Sequence, residues 1–199
     1  NNGGTKCFSV TGHVKNPGNF EVPMGMPFAE LLELAGGLRE GRTLKAVIPG
    51  GTSTPLVPGD VMMSSVMSYD GMSKIGSMLG AGSVIVMDDT TCMVKTLERI
   101  AEFYYEESCG QCTPCREGTG WLYRVVKRIV HGEGTQEDLD RLLAVANNIS
   151  GNTICALGEA AATPVLSFIK HFEEEFQYHI DHKCSMVSSS NTSEGQVAL

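Results

Sequence analysis

The chain has 199 residues, 42% of them hydrophobic, enough for one ordinary domain or two small ones that bury roughly 70% of the unfolded surface. Fifteen Lys and Arg against 23 Asp and Glu leave a formal charge of -8, which excludes nucleic acid as a natural partner. The longest purely apolar run, residues 142–146, falls far short of the roughly 20 residues that cross a bilayer, so no direct membrane insertion is expected.

The opening Asn1-Asn2-Gly3-Gly4 has no initiator methionine and runs at once into strand-like sequence, which predicts a longer parent upstream. Residues 6–14 (KCFSVTGHV) read as a strand, and Asn16-Pro17-Gly18-Asn19 reads as a turn in which Pro presets φ and Gly permits a positive one. FEVP then returns as the partner strand. Pro27 suits the first turn of a helix over residues 28–35, with Gly36-Gly37 as its stop. Residues 45–49 and 60–63 predict two further strands. Hairpin, helix, then strands is the order of a small β-grasp-like α+β domain over residues 1–68. A Gly- and Met-rich linker, 69–90, follows with one apolar strand at 83–87. Its glycines precede a strand and match neither Gly-x-Gly-x-x-Gly nor Walker A, so they predict turns and close packing, not a nucleotide loop.

From residue 91 the apolar period becomes helical. Met93, Val94, Leu97, Ile100, Ala101 and Tyr104 predict a first helix ending near Glu107. Trp121, Leu122, Val125, Val126 and Ile129 mark a second over residues 116–130. Thr135 with Asp138 resembles a helix cap, and Leu139, Leu142, Leu143 and Ala146 form the apolar face that follows, broken at residues 147–152. A fourth helix is expected from about Pro164, with Val165, Phe168, Ile169, Phe172 and Phe176 as core. Four helices joined by short links predict an all-α four-helix bundle over residues 91–183. Residues 184–199, rich in Ser, read as a disordered tail, with Cys184 incidental at its border.

The chemistry is carried by Cys109, Cys112, Cys115 and Cys155, spaced C-x2-C-x2-C-x39-C. A [4Fe-4S] cluster needs one thiolate per iron corner; a tight triplet can wrap three and a distant segment can supply the fourth. Structural zinc usually uses two separated Cys-x2-Cys knuckles, whereas this chain has a triplet and a singleton. Seven cysteines without a signal peptide argue against a disulfide framework and point to a reducing compartment. The start of the second helix would direct its N–H groups toward the cluster's negative charge, and Thr113, Pro114 and Arg116 would add a hydroxyl, rigidity and a positive charge. His13, His131, His171, His179 and His182 are scattered, and none is spaced to join the thiols as a zinc ligand. No nucleophile elbow or metalloprotease helix motif supports hydrolysis.

The run Glu107-Ser108-Cys109-Gly110-Gln111-Cys112-Thr113-Pro114-Cys115-Arg116-Glu117-Gly118, with Thr153-Ile154-Cys155-Ala156-Leu157-Gly158, closely resembles the flavoprotein (F) component of respiratory complex I, the NADH-quinone oxidoreductase. Residues 6–14, 46–55 and 83–88 are similar as well, so the resemblance spans about 5–182 and leaves out the tail. It implies a soluble-ligand-binding β-grasp domain and an iron-sulfur helical domain, both following a larger FMN and NADH domain absent from these residues. It also implies that the four cysteines hold a [4Fe-4S] cluster taking electrons from FMN reduced by NADH and passing them along a cluster chain toward quinone. Ala156 and Leu157 would lie on the side where the electron arrives. The implied partners are a thioredoxin-like [2Fe-2S] subunit and a large iron-sulfur subunit. The implied location is peripheral, on the cytoplasmic face of the bacterial membrane or the matrix side in mitochondria. Two alternatives stay open: the related diaphorase subunit of an NAD-linked hydrogenase or formate dehydrogenase, and a zinc-stapled interaction module without redox chemistry.

Overall fold

The computed structural model describes residues 3–187, so most of the expected tail lies outside the described residues. The chain divides into two compact units between Thr91 and Cys92.

The first unit is built on a five-stranded mixed sheet in the order β2-β1-β5-β3-β4. β1 (Thr5–Gly12) pairs antiparallel with β2 (Gly18–Pro23), from Thr5 opposite Pro23 to Val10 opposite Gly18. α1 (Phe28–Leu34) follows, starting directly after Pro27 and stopped by Gly36 and Gly37, both at positive φ. β3 (Leu44–Ile48) pairs antiparallel with the short β4 (Val57–Pro58) on one side and with β5 (Ser83–Asp88) on the other. β5 also runs parallel to β1, Ser9 opposite Ser83, and so holds the sheet's centre. Alternating residues of β1 and β5, Phe8 and Val10 with Val84 and Val86, turn to one face. There they meet Phe28, Leu31 and Leu32 of α1, whose i, i+3, i+4 spacing makes a single apolar stripe.

Two expectations change in this unit. The segment 60–63, read as a strand, lies in a one-turn helix, α2 (Gly59–Met63). Pro58 has no N–H for the ladder, so pairing stops there, and Asp60 then sits favourably in the helix's first turn. Burial confirms the period: Met62 is fully buried while Val61 and Met63 are exposed. The segment 69–90, read as a linker with one strand, has that strand at the sheet's centre and adds an unforeseen helix, α3 (Tyr69–Lys74), begun by Ser68, whose hydroxyl accepts from Gly71 N at 3.0 Å. A lone Ser before a Gly-containing segment is too weak a cap signal to be read from sequence.

At the end of β5 the fully buried Asp88 carboxylate gathers donors from distant segments. It accepts from His13 Nδ1 at 2.8 Å, Arg39 Nη2 at 2.6 Å and Nε at 3.1 Å, and the Thr90 backbone N–H at 3.0 Å. Burial pushes its pKa up, but the hydrogen bonds from Thr90 and Arg39 outweigh that and leave the carboxyl below its ordinary value.

The second unit consists of four helices: α4 (Met93–Glu107), α5 (Thr113–Val130), α6 (Gln136–Ile149) and α7 (Leu157–His182). α4 and α6 each pack on both α5 and α7. Leu97, Tyr104, Leu122, Val126, Leu142, Val165, Phe168 and Phe176 are among the buried side chains. Thr135 and Asp138 form a complete capping box at the head of α6, as their spacing predicts. Trp121, one of the apolar residues that mark α5 in the sequence, is 53% exposed, because its position lies outside the stripe of Leu122, Val126 and Ile129. α6 continues through Asn147 and Asn148, where Asn147 returns a side-chain hydrogen bond to Leu143 O. α7 begins at Leu157, well before Pro164, which lies buried inside the helix. The preceding Glu159-Ala160-Ala161-Ala162 run is strongly helix-forming and overrides proline as a start signal. α7 also bends at Phe172, whose φ of -135 departs from helical geometry.

The N-terminus of α4 is held from α7. Glu175 Oε2 accepts from Met93 N at 3.1 Å, and the buried His179 places Nε2 3.2 Å from Cys92 Sγ. Burial lowers the His179 pKa, with Glu175 pulling it back up and Lys95 adding to the fall. A neutral native imidazole means that the unfolded chain binds more protons as pH drops below about 6.5. The helical unit should therefore lose stability as pH falls from there toward the depressed native pKa. Thermal unfolding followed by Trp121 fluorescence at pH 7.5 and 5.5 will show this as a lower Tm in acid. Comparison with His179→Gln isolates the effect from His171, whose pKa burial also lowers. An identical acid shift in that variant would rule His179 out as its source.

Candidate metal centre

α4 ends at Glu107, and Ser108, at φ -66 and ψ 121, takes the chain out of the helix. Gly110, at φ 77, then turns the loop in a conformation that favours glycine. Cys112 is the last residue before α5, at φ -89 and ψ 125. The start of α5 at Thr113 places Cys115 inside the helix's first turn, whereas the sequence put the whole triplet in a loop. Pro114 is accommodated because the first turn has no intrahelical acceptor for its missing N–H.

The three thiols consequently occupy three environments. Cys109 is exposed, Cys112 is half-buried, and Cys115 is buried. Arg116, expected to lend a charge, uses its guanidinium to hold the loop: Nη1 donates to Gly110 O at 3.1 Å and Nε to Glu117 Oε1 at 2.9 Å.

Cys155 is exposed in the loop between α6 and α7. That loop is tied at both ends. Glu159, in the first turn of α7, accepts from Ser150 Oγ at 2.7 Å and from Gly151 N, and these two hydrogen bonds lower its pKa. Thr153 Oγ1 donates to Cys155 O at 2.9 Å. Ile154 N donates to Cys112 Sγ at 3.4 Å, which lays the Cys155 loop directly against the triplet. The side chain of Ile154 is left 87% exposed beside it.

Among the described residues, no three His, Cys, Asp or Glu side chains are gathered closely enough to hold one metal ion. A single tetrahedral zinc, with Zn–S bonds of about 2.3 Å, would need its sulfurs within about 4 Å of one another. A four-iron cluster instead interposes its own sulfide core between the thiolates. The donor set also fits: three thiols on two abutting loops and a fourth in the first turn of α5, one sulfur facing a backbone N–H, and a neighbouring hydroxyl, Ser108 Oγ, 3.3 Å from Cys115 Sγ. Sequence reading missed Ser108 and Ile154 as contributors. Only their adjacency to the cysteines could have drawn attention to them.

The four-helix unit thus carries two thiols on the loop before α5, one in the first turn of α5 and one on the abutting α6–α7 loop, a donor set of the kind iron-sulfur proteins use. Residues 95–179, which contain all four cysteines, match the NADH-ubiquinone oxidoreductase-F iron-sulfur binding region, and residues 7–63 match the SLBB domain. The F 1 component of the NADH-quinone oxidoreductase of Rhizobium meliloti (strain 1021) is 51% identical over 183 residues, which are 91% of this chain and 42% of that protein. The F component of the same enzyme in Mycobacterium tuberculosis (strain ATCC 25618 / H37Rv) is 47% identical over 89% of this chain and 40% of its own length. Among solved structures, an NAD+-reducing [NiFe]-hydrogenase in the H2-reduced state matches with a TM-score of 0.79 and 29% identity, over 89% of this chain and 30% of that one. The helical unit thus matches the oxidoreductase-F iron-sulfur binding region over residues 95–179, and the chain is similar to the NADH-quinone oxidoreductase F component over about nine tenths of its own length. It spans less than half the length of these relatives. Among the described residues no helix is long and apolar enough to cross a membrane.

Proposed function

We propose that the chain is an electron carrier in which Cys109, Cys112, Cys115 and Cys155 ligate a [4Fe-4S] cluster. The observation that carries this reading is the Ile154 N–H on Cys112 Sγ, which joins the two cysteine loops that sequence spacing alone left apart. When bound, such a cluster supplies one-electron transfer. The residues of the chain hold it, keep the two loops in register through Glu159 and Arg116, and direct N–H and O–H donors at its sulfurs. The first turn of α5 adds backbone N–H groups near a negatively charged group.

The wider setting is proposed from the relatives. FMN and NADH would be bound by residues outside this chain, and quinone would be the final acceptor of an NADH:quinone oxidoreductase, as the relatives' name states. The partners would be a thioredoxin-like [2Fe-2S] subunit and a large iron-sulfur subunit, with the assembly peripheral on the cytoplasmic face of the membrane. In fold terms the reading is a β-grasp unit, supported by the SLBB match, and a four-helix bundle spanning the cluster site. A second reading, a diaphorase subunit of an NAD-reducing hydrogenase, is favoured by the TM-score of 0.79. It predicts the same cluster with different partners.

The test is iron, zinc and acid-labile sulfide analysis of anaerobically purified protein, with visible spectra before and after dithionite. About four iron and four sulfide per chain, with broad absorbance that bleaches on reduction, is the expected result. One zinc without sulfide or colour would overturn it in favour of a zinc-stapled module.

A further inference from the structure

We propose that Ser108 sets the reduction potential of this centre by donating a hydrogen bond to Cys115. The inference rests on the four-thiolate reading above and deepens it.

Cys115 is 7% exposed, whereas Cys109 and Cys155 are open to solvent. Water can solvate charge on an exposed sulfur, but at Cys115 the protein must supply the donor. Ser108 Oγ lies 3.3 Å from Cys115 Sγ, and the same oxygen accepts from Gly110 N at 3.4 Å. With that lone pair engaged by an N–H, the hydroxyl proton is free to turn toward the sulfur. A ligating thiolate has no proton to give, so the serine is the donor.

The arrangement is built in. Gly110 has a positive φ of 77, and its carbonyl is held by Arg116 Nη1 at 3.1 Å, so both sides of this residue are fixed and its N–H is kept on Ser108. Ser108 is itself fixed by its place at the C-terminus of α4. The result is a relay of Gly110 N–H to Ser108 O–H to Cys115 sulfur. Reduction adds one electron and no proton, and the serine hydrogen stays on its oxygen. Added negative charge strengthens a hydrogen bond to sulfur, more so where water is excluded, so the relay favours the reduced state and raises the potential. Ile154 N–H acts in the same sense at Cys112, but as a backbone donor it is beyond simple substitution.

The test uses the whole chain, reconstituted anaerobically with iron and sulfide, as wild type, Ser108→Ala and Ser108→Thr. Each is titrated with redox mediators while the reduced signal is followed by EPR, and iron, sulfide and circular dichroism are measured alongside. Ser108→Ala is expected to make reduction three- to tenfold less favourable, tenfold being about 59 mV for one electron. Ser108→Thr, which keeps the hydroxyl, should retain the wild-type potential. A fully loaded Ser108→Ala with unchanged potential overturns the proposal, as does a Ser108→Thr that shifts as far as the alanine variant. Loss of iron and sulfide from Ser108→Ala with unchanged circular dichroism also overturns it, since Ser108 would then hold the cluster and not tune it. Absence of sulfide from the wild-type chain sinks the four-thiolate reading itself.

Discussion

Cys155→Ala should cost the four-iron cluster at least one iron while leaving the fold intact. Its side chain is exposed and outside the helical core, so truncation to alanine is expected to change stability by no more than about 0.5 kcal/mol. Its loss removes the sulfur ligand proposed from the α6–α7 loop, and iron should fall from about four per chain to three or fewer, with sulfide and visible absorbance falling alongside. Iron analysis and a thermal melt on the same sample separate the two effects. Full retention of iron and sulfide would show that Cys155 is not the fourth ligand. Cys7, exposed in β1, and Cys184, exposed beyond α7, are the natural controls, and their alanine variants should load normally.

The largest loss of stability should come from Asp88→Ala in the sheet unit. Removing one partner from a buried charge cluster leaves its donors unmatched, here His13, Arg39 and the Thr90 amide, and about 3 kcal/mol is the expected cost. Arg39→Ala should cost about 1 kcal/mol or less, because the guanidinium is partly exposed and Asp88 keeps its other donors. Trp121 is the only tryptophan and lies in the helical unit, so its fluorescence will not report this change cleanly. Amide hydrogen exchange along β1 and β5 will, as faster exchange. The Asp88 carboxyl has a native pKa below 3.8, so its contribution is fully present above that value and fades as pH falls through the lowered one. The variant should therefore show a flatter acid limb. Equal exchange rates in the two proteins would show that the cluster contributes little.

What sequence revealed, and what it hid, follows from how local each signal is. The cysteine spacing is legible because ligation chemistry imposes it within seven residues of the chain. The stripes of α4 and α6 and the Thr135–Asp138 box are legible because helical period and capping are short-range effects. Two prolines act against simple reading: Pro58, not used as a signal, ends a strand and precedes a helix, while Pro164, read as a helix start, lies within one. Whether a proline breaks or is absorbed depends on the neighbours that fill the space around it. The exposure of Trp121 is illegible for a similar reason: hydrophobicity says what a side chain prefers, and only the packing partners decide whether it is buried. Asp88 could not be found at all from sequence. Two of its donors, Arg39 and His13, lie 49 and 75 positions away. Ser108 is the intermediate case, next to the motif yet silent until the loop's path brings it onto Cys115.

The placing of the last strand of the sheet at its middle governs how the first unit can be made. Until β5 has left the ribosome, β1 with β2 and β3 with β4 are two separate hairpins, each with an unpaired edge. Long-range pairing of this kind slows folding, and N-terminal segments emerge well before their partner does. The unit therefore has no half-finished state worth keeping. Any expression boundary drawn before Asp88, including one at residue 68 where composition suggests a domain end, will yield two sticky ribbons and not a smaller domain.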